Sequence, residues 1–323
     1  MWNCVLAGAV PDQAGRTGRA QGIAVSTFKP DPGEMRRVWA GIRERACVSH
    51  QASNGLAPDI RHDPMTGRWV AIAPGRATRQ GAAMPASGTE AVCPFCAGHE
   101  DRTPPETLRL GEGPTGWQVR TVPNLYPALE RQEVVIHGPE HVLSIGELAD
   151  TTLDLVAEAW QRRARDAGGI CFPLLNEGHD AGASLPHSHS QLAWLPSPPP
   201  AVVRERGLPE VVPVLERDGV SAGCPLASRV PYEVLIAPSR GEPEGLRSSL
   251  LAPALRLLAE LVRRLQRIEG APLVPLNAWL HEGPNWHLEL VPRTTRLAGL
   301  ELGAGVYLNP VAPEEAAANL RAA

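Results

Sequence analysis

Two rhythms of hydrophobic spacing run along this chain and predict its elements. From about residue 59 onward, short apolar runs bounded by turn residues read as strands. Longer runs with apolar residues at i, i+3, i+4 and i+7 read as helices. Met65-Thr66-Gly67-Arg68 is a turn that leads into a strand at Trp69-Val70-Ala71-Ile72-Ala73. Glu133-Val134-Val135-Ile136-His137 is a second strand, followed by the turn Gly138-Pro139-Glu140-His141. A helix over 145–167 sets Leu153, Val156, Ala157 and Trp160 on one face and stops at Gly168-Gly169. A strand over 170–175 then runs into a loop, and a further strand carries His187.

The same order returns about one hundred residues later. Glu233-Val234-Leu235-Ile236 matches Glu133-Val134-Val135-Ile136. A helix over 250–268 places Leu258, Leu261, Val262 and Leu265 on one face and ends at Gly270. Pro275-Leu276-Asn277 echoes Leu174-Leu175-Asn176, and Trp286-His287-Leu288-Glu289 echoes Pro186-His187-Ser188-His189. The chain therefore contains an internal duplication of a strand–helix–strand–strand unit. On this alignment Glu289 takes the place of His189, and the glycine-rich loop shrinks to His281-Glu282-Gly283-Pro284-Asn285. Residues 196–213 are proline-rich and read as a surface connector. Residues 314–322 read as a short helix. Residues 1–54 are weakly patterned, with one short helix over 34–47. The expected organisation is a weakly ordered N-terminal extension over 1–54, a first half over 55–198 and a second half over 199–323.

Composition narrows the class. The 323 residues are 43% hydrophobic, enough for a sizeable core. The net charge of -4 offers no basic excess for nucleic acid. Lys29 is the only lysine, so arginine carries nearly all the positive charge, and arginine suits bidentate phosphate binding. No apolar run approaches the roughly 20 residues that span a bilayer, and the start of the chain lacks a signal pattern. Of the six cysteines only Cys93 and Cys96 are closely spaced, which is no disulfide framework. The expectation is a soluble cytoplasmic protein without a membrane or nucleic-acid partner.

The polar residues that interrupt the apolar pattern carry the candidate chemistry. His187, His189 and Gln191 are spaced by two, so an extended stretch turns all three to one face. Three such groups are poor core material, because each needs a partner once buried. The preceding run, Asn176-Glu177-Gly178-His179-Asp180-Ala181-Gly182-Ala183-Ser184, is small, polar and glycine-spaced, and brings backbone N–H groups close to an anion. The reading is a nucleophilic or general-base histidine beside a phosphate-binding loop, against a surface strand with solvated histidines. Arg76 and Arg79 follow a strand end, where they reach phosphates. Asn124, in the proline-bracketed loop Val122-Pro123-Asn124-Leu125-Tyr126-Pro127, is either a base or ribose contact or a turn residue. Cys93-Pro94-Phe95-Cys96 has the spacing of a half-site for tetrahedral zinc, with the other ligands among His99, His137, His141, His179 and His187.

Several motifs occur together in one order: Asp63-Pro64-Met65-Thr66-Gly67-Arg68-Trp69-Val70, the Cys93–Cys96 pair, Pro123-Asn124-Leu125-Tyr126-Pro127, Asn176-Glu177-Gly178, Gly182-Ala183-Ser184, the histidine motif, and Gly299-Leu300-Glu301-Leu302-Gly303. In this order the chain, from about 59 to about 320, resembles the galactose-1-phosphate uridylyltransferases, a branch of the histidine-triad superfamily. The resemblance implies an α+β fold of two duplicated histidine-triad-like halves, each an antiparallel sheet with a helix, joined into one large sheet. It implies His189 as nucleophile and a structural zinc on Cys93, Cys96, His141 and His187. It gives Gln191 the role of donating to the phosphate of the covalent intermediate. Ser184, Arg76 and Arg79 would hold phosphate oxygens, and Asn176 would steady the site. It also implies a second metal near Glu205, His281 and His287, with Glu289 standing where some members have histidine, and a homodimer.

What the resemblance implies for function is transfer of UMP between UDP-glucose and galactose 1-phosphate through a uridylyl-histidine, with ping-pong kinetics. Three departures bear on substrate. Ser188 stands where the family has proline, Leu125 where studied members have aspartate, and no glutamine follows Glu301. The alternatives are an ADP-glucose phosphorylase, in which phosphate discharges the same intermediate, and a non-catalytic nucleotide-binding protein.

Overall fold

Alternation along each strand decides the architecture. In Ile170–Glu177, residues 171, 173, 175 and 177 are buried while 170, 172, 174 and 176 are only partly covered. One face of the sheet is thus packed and the other carries the polar residues. The computed structural model describes residues 59–73, 76, 92–112, 116–166, 169–242 and 244–323. The expected helix over 34–47 and extension over 1–54 lie outside the described residues, as does Arg79.

After a hairpin of β1 (Asp59–His62) and β2 (Trp69–Ile72), ten strands form one antiparallel sheet. They are β3 (Leu108–Leu110), β4 (Val119–Pro123), β5 (Gln132–Ile136), β6 (Ile170–Glu177), β7 (His189–Leu195), β8 (Val211–Arg217), β9 (Val220–Pro225), β10 (Val234–Pro238), β11 (Leu276–His281) and β12 (His287–Pro292). Their spatial order is β3-β4-β5-β7-β6-β11-β12-β10-β9-β8. That order is a palindrome: exchanging β3–β7 for β8–β12 leaves it unchanged, with the axis between β6 and β11. The duplicated α+β architecture expected from the sequence is present.

Helix α1 (Asp150–Arg165) follows β5 and α3 (Leu251–Glu269) follows β10, the same place in each half. The residues expected on their apolar faces, from Leu153 to Trp160 and from Leu258 to Leu265, are buried, and all but Leu265 belong to one core cluster. α1 starts five residues later than the periodicity suggested. Ser144 caps a 3-10 turn at Ile145–Glu147 instead, and Glu147 returns a capping-box bond. α3 ends at Gly270, which adopts φ 62°. The short α2 (Pro200–Arg204) interrupts the connector, and α4 (Gly299–Ala304) and α5 (Pro313–Ala322) follow β12.

The duplication is real, but its residue register differs from the sequence echo. Val135 lies in the main core with Val234 and Ile236, whereas Val134 and Ile136 lie on the other face. A one-residue slip turns every strand side chain over, so the apolar match was off by one. A better match comes from paired landmarks. Glu177 accepts a bond from the Ile145 N–H, and Glu282 accepts one from the Leu246 N–H, each at the start of a 3-10 turn. Gly178 and Gly283 follow with φ 78° and 144°. Leu174 pairs outward with Gln191 as Trp279 pairs with Glu289, and Leu174 and Trp279 face each other across the axis. Asn176-Glu177-Gly178 therefore matches His281-Glu282-Gly283, and Pro186 to Gln191 matches Pro284 to Glu289. The counterpart of His189 is His287, not Glu289. Residues 179–185 have no counterpart.

Candidate active site

The open face of the sheet gathers the polar residues. His189 is the first residue of β7, opposite Ile136 on β5, and Gln191 lies opposite Val134. His187 and Ser188 precede β7 rather than belonging to it, yet the Ser188 N–H donates to the Val142 carbonyl at 2.7 Å and the His137 N–H donates to the Ser188 carbonyl at 3.2 Å, which keeps them extended. The spacing by two therefore does put His189 and Gln191 on one face.

His189 is 5% exposed. Its Nδ1 lies 2.6 Å from the carbonyl oxygen of His187. A carbonyl only accepts, so Nδ1 carries the hydrogen and the lone pair of the neutral ring sits on Nε2. Phe95 meets the ring edge-on at 5.3 Å between centroids. Gln191 is half-buried, and its Oε1 accepts from Gln132 Nε2 at 2.7 Å.

Four residues of the first half offer one ligand atom each within 4.8 Å of one another: Cys93, Cys96, His141 and His187. Of the five histidines open to the role, the fold selects two. His137 is committed to Ser188 Oγ and Ser190 Oγ at 3.0 and 2.9 Å, His179 is exposed beside Asp180, and His99 is not in the group of four. Bonds of about 2.3 Å to sulfur and about 2.0 Å to nitrogen at the tetrahedral angle separate the two by about 3.5 Å. Cys93 Sγ to His187 Nδ1 is 3.5 Å and Cys96 Sγ to His141 Nδ1 is 3.4 Å, so the set fits a tetrahedral metal. His187 Nε2 donates to the Gly138 carbonyl at 3.1 Å, which aims Nδ1 at the sulfurs. Burial and Cys93 push the Cys96 thiol up to about 11, so a bound cation would favour its thiolate. A small apolar cluster of Phe95, Trp117, Val122, Val134 and Ile136 seats the cysteine turn on the sheet.

The loop after β6 is only partly a phosphate cradle. The N–H groups of Ala181 and Ala183 bond to the Gly178 carbonyl, and that of Gly182 bonds to His179. Those three donors are spent inside the loop, and Ser184, half-buried, is one candidate donor that remains. Asn176 is fixed from the other half: Asn277 Nδ2 donates to Asn176 Oδ1 at 2.7 Å and to the Ala181 carbonyl at 2.9 Å. Asn124 Oδ1 accepts from the Tyr126 N–H at 2.9 Å, which is its turn role, and Arg76 donates to the Tyr126 carbonyl at 3.0 Å.

Sequence reasoning missed the groups that act from behind. On the packed face, Trp160 Nε1 donates to Ser190 Oγ at 2.8 Å, and Ser188 Oγ donates to Glu177 at 3.2 Å. Ser188 uses its N–H and its hydroxyl, neither of which a proline could supply. Gln132, Asn277 and Glu177 were also missed. Only Glu177 had a signal, the match of Asn-Glu-Gly to His-Glu-Gly.

A second cluster occupies the dyad image of the His189 site. Glu205, His281, His287 and Glu289 also offer ligand atoms within 4.8 Å of one another. His281 Nδ1 and His287 Nε2 lie 3.4 and 3.5 Å from Glu289 Oε1. His287 Nδ1 is held by the Asn285 carbonyl, the arrangement seen at His189. Arg229 binds the other Glu289 oxygen and Glu233. Although burial opposes charge there, His287 and Arg229 hold Glu289 down to about 2. Two imidazoles and two carboxylates at these separations fit a divalent metal. Glu289 thus completes the set in place of histidine.

The chain as a whole is similar to known proteins. No family model matches the chain. It is 26% identical over 332 residues to an ADP-glucose phosphorylase of Arabidopsis thaliana, covering 82% of this chain and 93% of that one. It is 24% identical over 321 residues to a galactose-1-phosphate uridylyltransferase of Thermotoga maritima, covering 81% and 98%. A crystal structure of an Arabidopsis thaliana ADP-glucose phosphorylase with bound ADP-glucose superposes with a TM-score of 0.66 at 25% identity, covering 83% of this chain and 99% of that one.

Proposed function

We propose, on the premise that this chain belongs with its homologues to the galactose-1-phosphate uridylyltransferase family, that it transfers a nucleotidyl group through a covalent bond to His189. One observation carries the proposal: the Nδ1 of His189 is clamped by its own backbone, which directs Nε2 as nucleophile beside Gln191. Nε2 forms a bond to the α-phosphorus of a nucleoside diphosphate sugar. The bond to the bridging oxygen breaks, and the sugar 1-phosphate leaves with its electrons. An oxygen of a second phosphate then attacks phosphorus and releases Nε2. The His187 carbonyl faces the Nδ1–H and meets the positive charge that the ring acquires. Gln191, Ser184, Arg76 and Arg79 meet the charge on phosphate, and Asn124 contacts the nucleoside. Asn176, held by Asn277, steadies the loop. Cys93, Cys96, His141 and His187 hold a zinc ion that is structural, since protein fills all four positions. The 55–198 half carries the chemistry and the 199–323 half braces it.

For nucleotide and acceptor, the first reading is UDP-glucose–hexose-1-phosphate uridylyl transfer in galactose metabolism. The second is ADP-glucose phosphorolysis. It is favoured by the Arabidopsis relative, similar along 93% of its length, and by the absence of glutamine from Leu302 to Tyr307. Intact-protein mass after separate incubation with UDP-glucose and ADP-glucose tests both. A gain of one UMP, discharged by galactose 1-phosphate and absent in His189→Ala, supports the first. A gain of one AMP, discharged by inorganic phosphate, supports the second. Folded protein that gains neither overturns both in favour of a nucleotide-binding protein.

A further inference from the structure

Gln191 can stabilise phosphate only if its amide points the right way. A primary amide has a donor end and an acceptor end of the same shape, and rotating χ3 by 180° exchanges them. Turned wrongly, Gln191 would aim Oε1 at the phosphoryl oxygens and repel them. Something must break this near-degeneracy.

A chain of two hydrogen bonds does so. The Ala128 N–H, which can only donate, lies 3.0 Å from Gln132 Oε1. That contact fixes which end of Gln132 is oxygen, so its Nε2 is at the other end, 2.7 Å from Gln191. The atom of Gln191 that meets this donor must be Oε1, so Nε2 is the end left for a ligand on the face that Gln191 shares with His189. Each link has one chemically allowed polarity, and a backbone amide starts the sequence. Sheet register supports the contact. Gln132 pairs with Ala193 and Val134 with Gln191, so the two glutamines are diagonal neighbours on one face. The Gln132 carbonyl also accepts the Asn124 N–H at 2.8 Å, so the residue joins the Asn124 loop to β7.

We propose that Gln132 is a positioning residue that sets the polarity of the Gln191 amide for nucleotidyl transfer. This rests on the proposed role of His189 and Gln191. It predicts an unusual order among variants. Gln132→Glu is nearly isosteric and still accepts from Ala128, but an ionised carboxylate cannot donate to Gln191. It accepts from Gln191 Nε2 and turns Oε1 toward the phosphate. Gln132→Leu removes the preference without reversing it.

The test is single-turnover labelling of His189 at pH 8, using whichever of UDP-glucose and ADP-glucose labels the wild type. Removing one preorganised donor typically costs about 100- to 1000-fold in rate. Gln132→Glu should fall in that range, close to Gln191→Leu, and Gln132→Leu should lose about tenfold or less. The effect should appear in the labelling rate at saturation rather than in KM. Adding Gln132→Glu to Gln191→Leu should cost nothing further, because no amide remains to be turned. A merely structural Gln132 gives the opposite order, with leucine worse than glutamate and additive losses; that result overturns the inference. Should Gln132→Glu fail to fold, Gln132→Leu decides alone. A loss in the wild-type background that vanishes in Gln191→Leu supports the inference, and equal losses in both overturn it. Failure of the wild type to label His189 would instead sink the underlying function, so the two failures are distinct.

Discussion

At the scale of the residue, Glu177 shows what the fold does to a side chain. It is 2% exposed, and burial pushes its carboxyl up to about 7 against the opposing bonds from the Ile145 N–H and the Ser144 and Ser188 hydroxyls. In the unfolded chain the same group ionises near 4.5. Between those values the folded protein holds a proton that the unfolded chain has lost, so stability falls as pH rises from about 4.5 through about 7. At roughly 1.4 kcal/mol per pH unit, the fall is on the order of 2–3 kcal/mol. Glu177→Gln offers one acceptor oxygen and one donor group, as the protonated acid does at pH 5, and should lose much of this decline toward pH 8. Urea unfolding across that range checks it, and equal slopes for the two proteins would sink the assignment. The residues proposed to meet substrate stood out because they break the apolar pattern where the chain should be burying carbon. The residues that aim them were not. Gln132 lies 59 positions from Gln191 and Asn277 lies 101 from Asn176, and nothing local in either stretch signals the contact.

At the scale of the element, the helices were legible because a period near 3.6 repeated over four turns survives small errors. Leu258, Leu261, Val262 and Leu265 are each no more than 1% exposed. Strand register was not legible, because a period of two matches almost as well after a slip, and the match of Val135 to Leu235 put a core residue onto the opposite face. Glycine was the better guide. Gly178 adopts φ 78° and ψ 152°, a region nearly closed to other residues, and a Cβ there would stand 3.0 Å from the Pro275 Cα. Gly178→Ala should cost about 1–3 kcal/mol in unfolding free energy. It should also slow labelling of His189, since the turn sets where β6 hands over to the Ser184 loop. Urea titration and labelling rate read the two effects, and a variant unchanged in both would refute this account of the turn.

At the scale of the whole molecule, the palindromic sheet has one central seam, four residue pairs between β6 and β11. The helices behind it belong to a single core cluster that mixes Leu153 and Val156 with Leu255 and Leu258. The halves should therefore stay together when the connector is cut. A protease site placed at the exposed Gly207 and Leu208 should yield two fragments that elute as one species and melt in one transition. Separation under native conditions would show that continuity of the chain, not packing, holds the halves. The same symmetry brings out a contrast. The two hairpins each hold a histidine by the carbonyl two residues earlier. One carries residues 179–185 between its glycine and its proline, and its histidine is the proposed nucleophile. In the other, Gly283 abuts Pro284, and its histidine is drawn in among His281, Glu205 and Glu289. The length of one loop separates the hairpin proposed to react from the one whose four ligand atoms gather on each other.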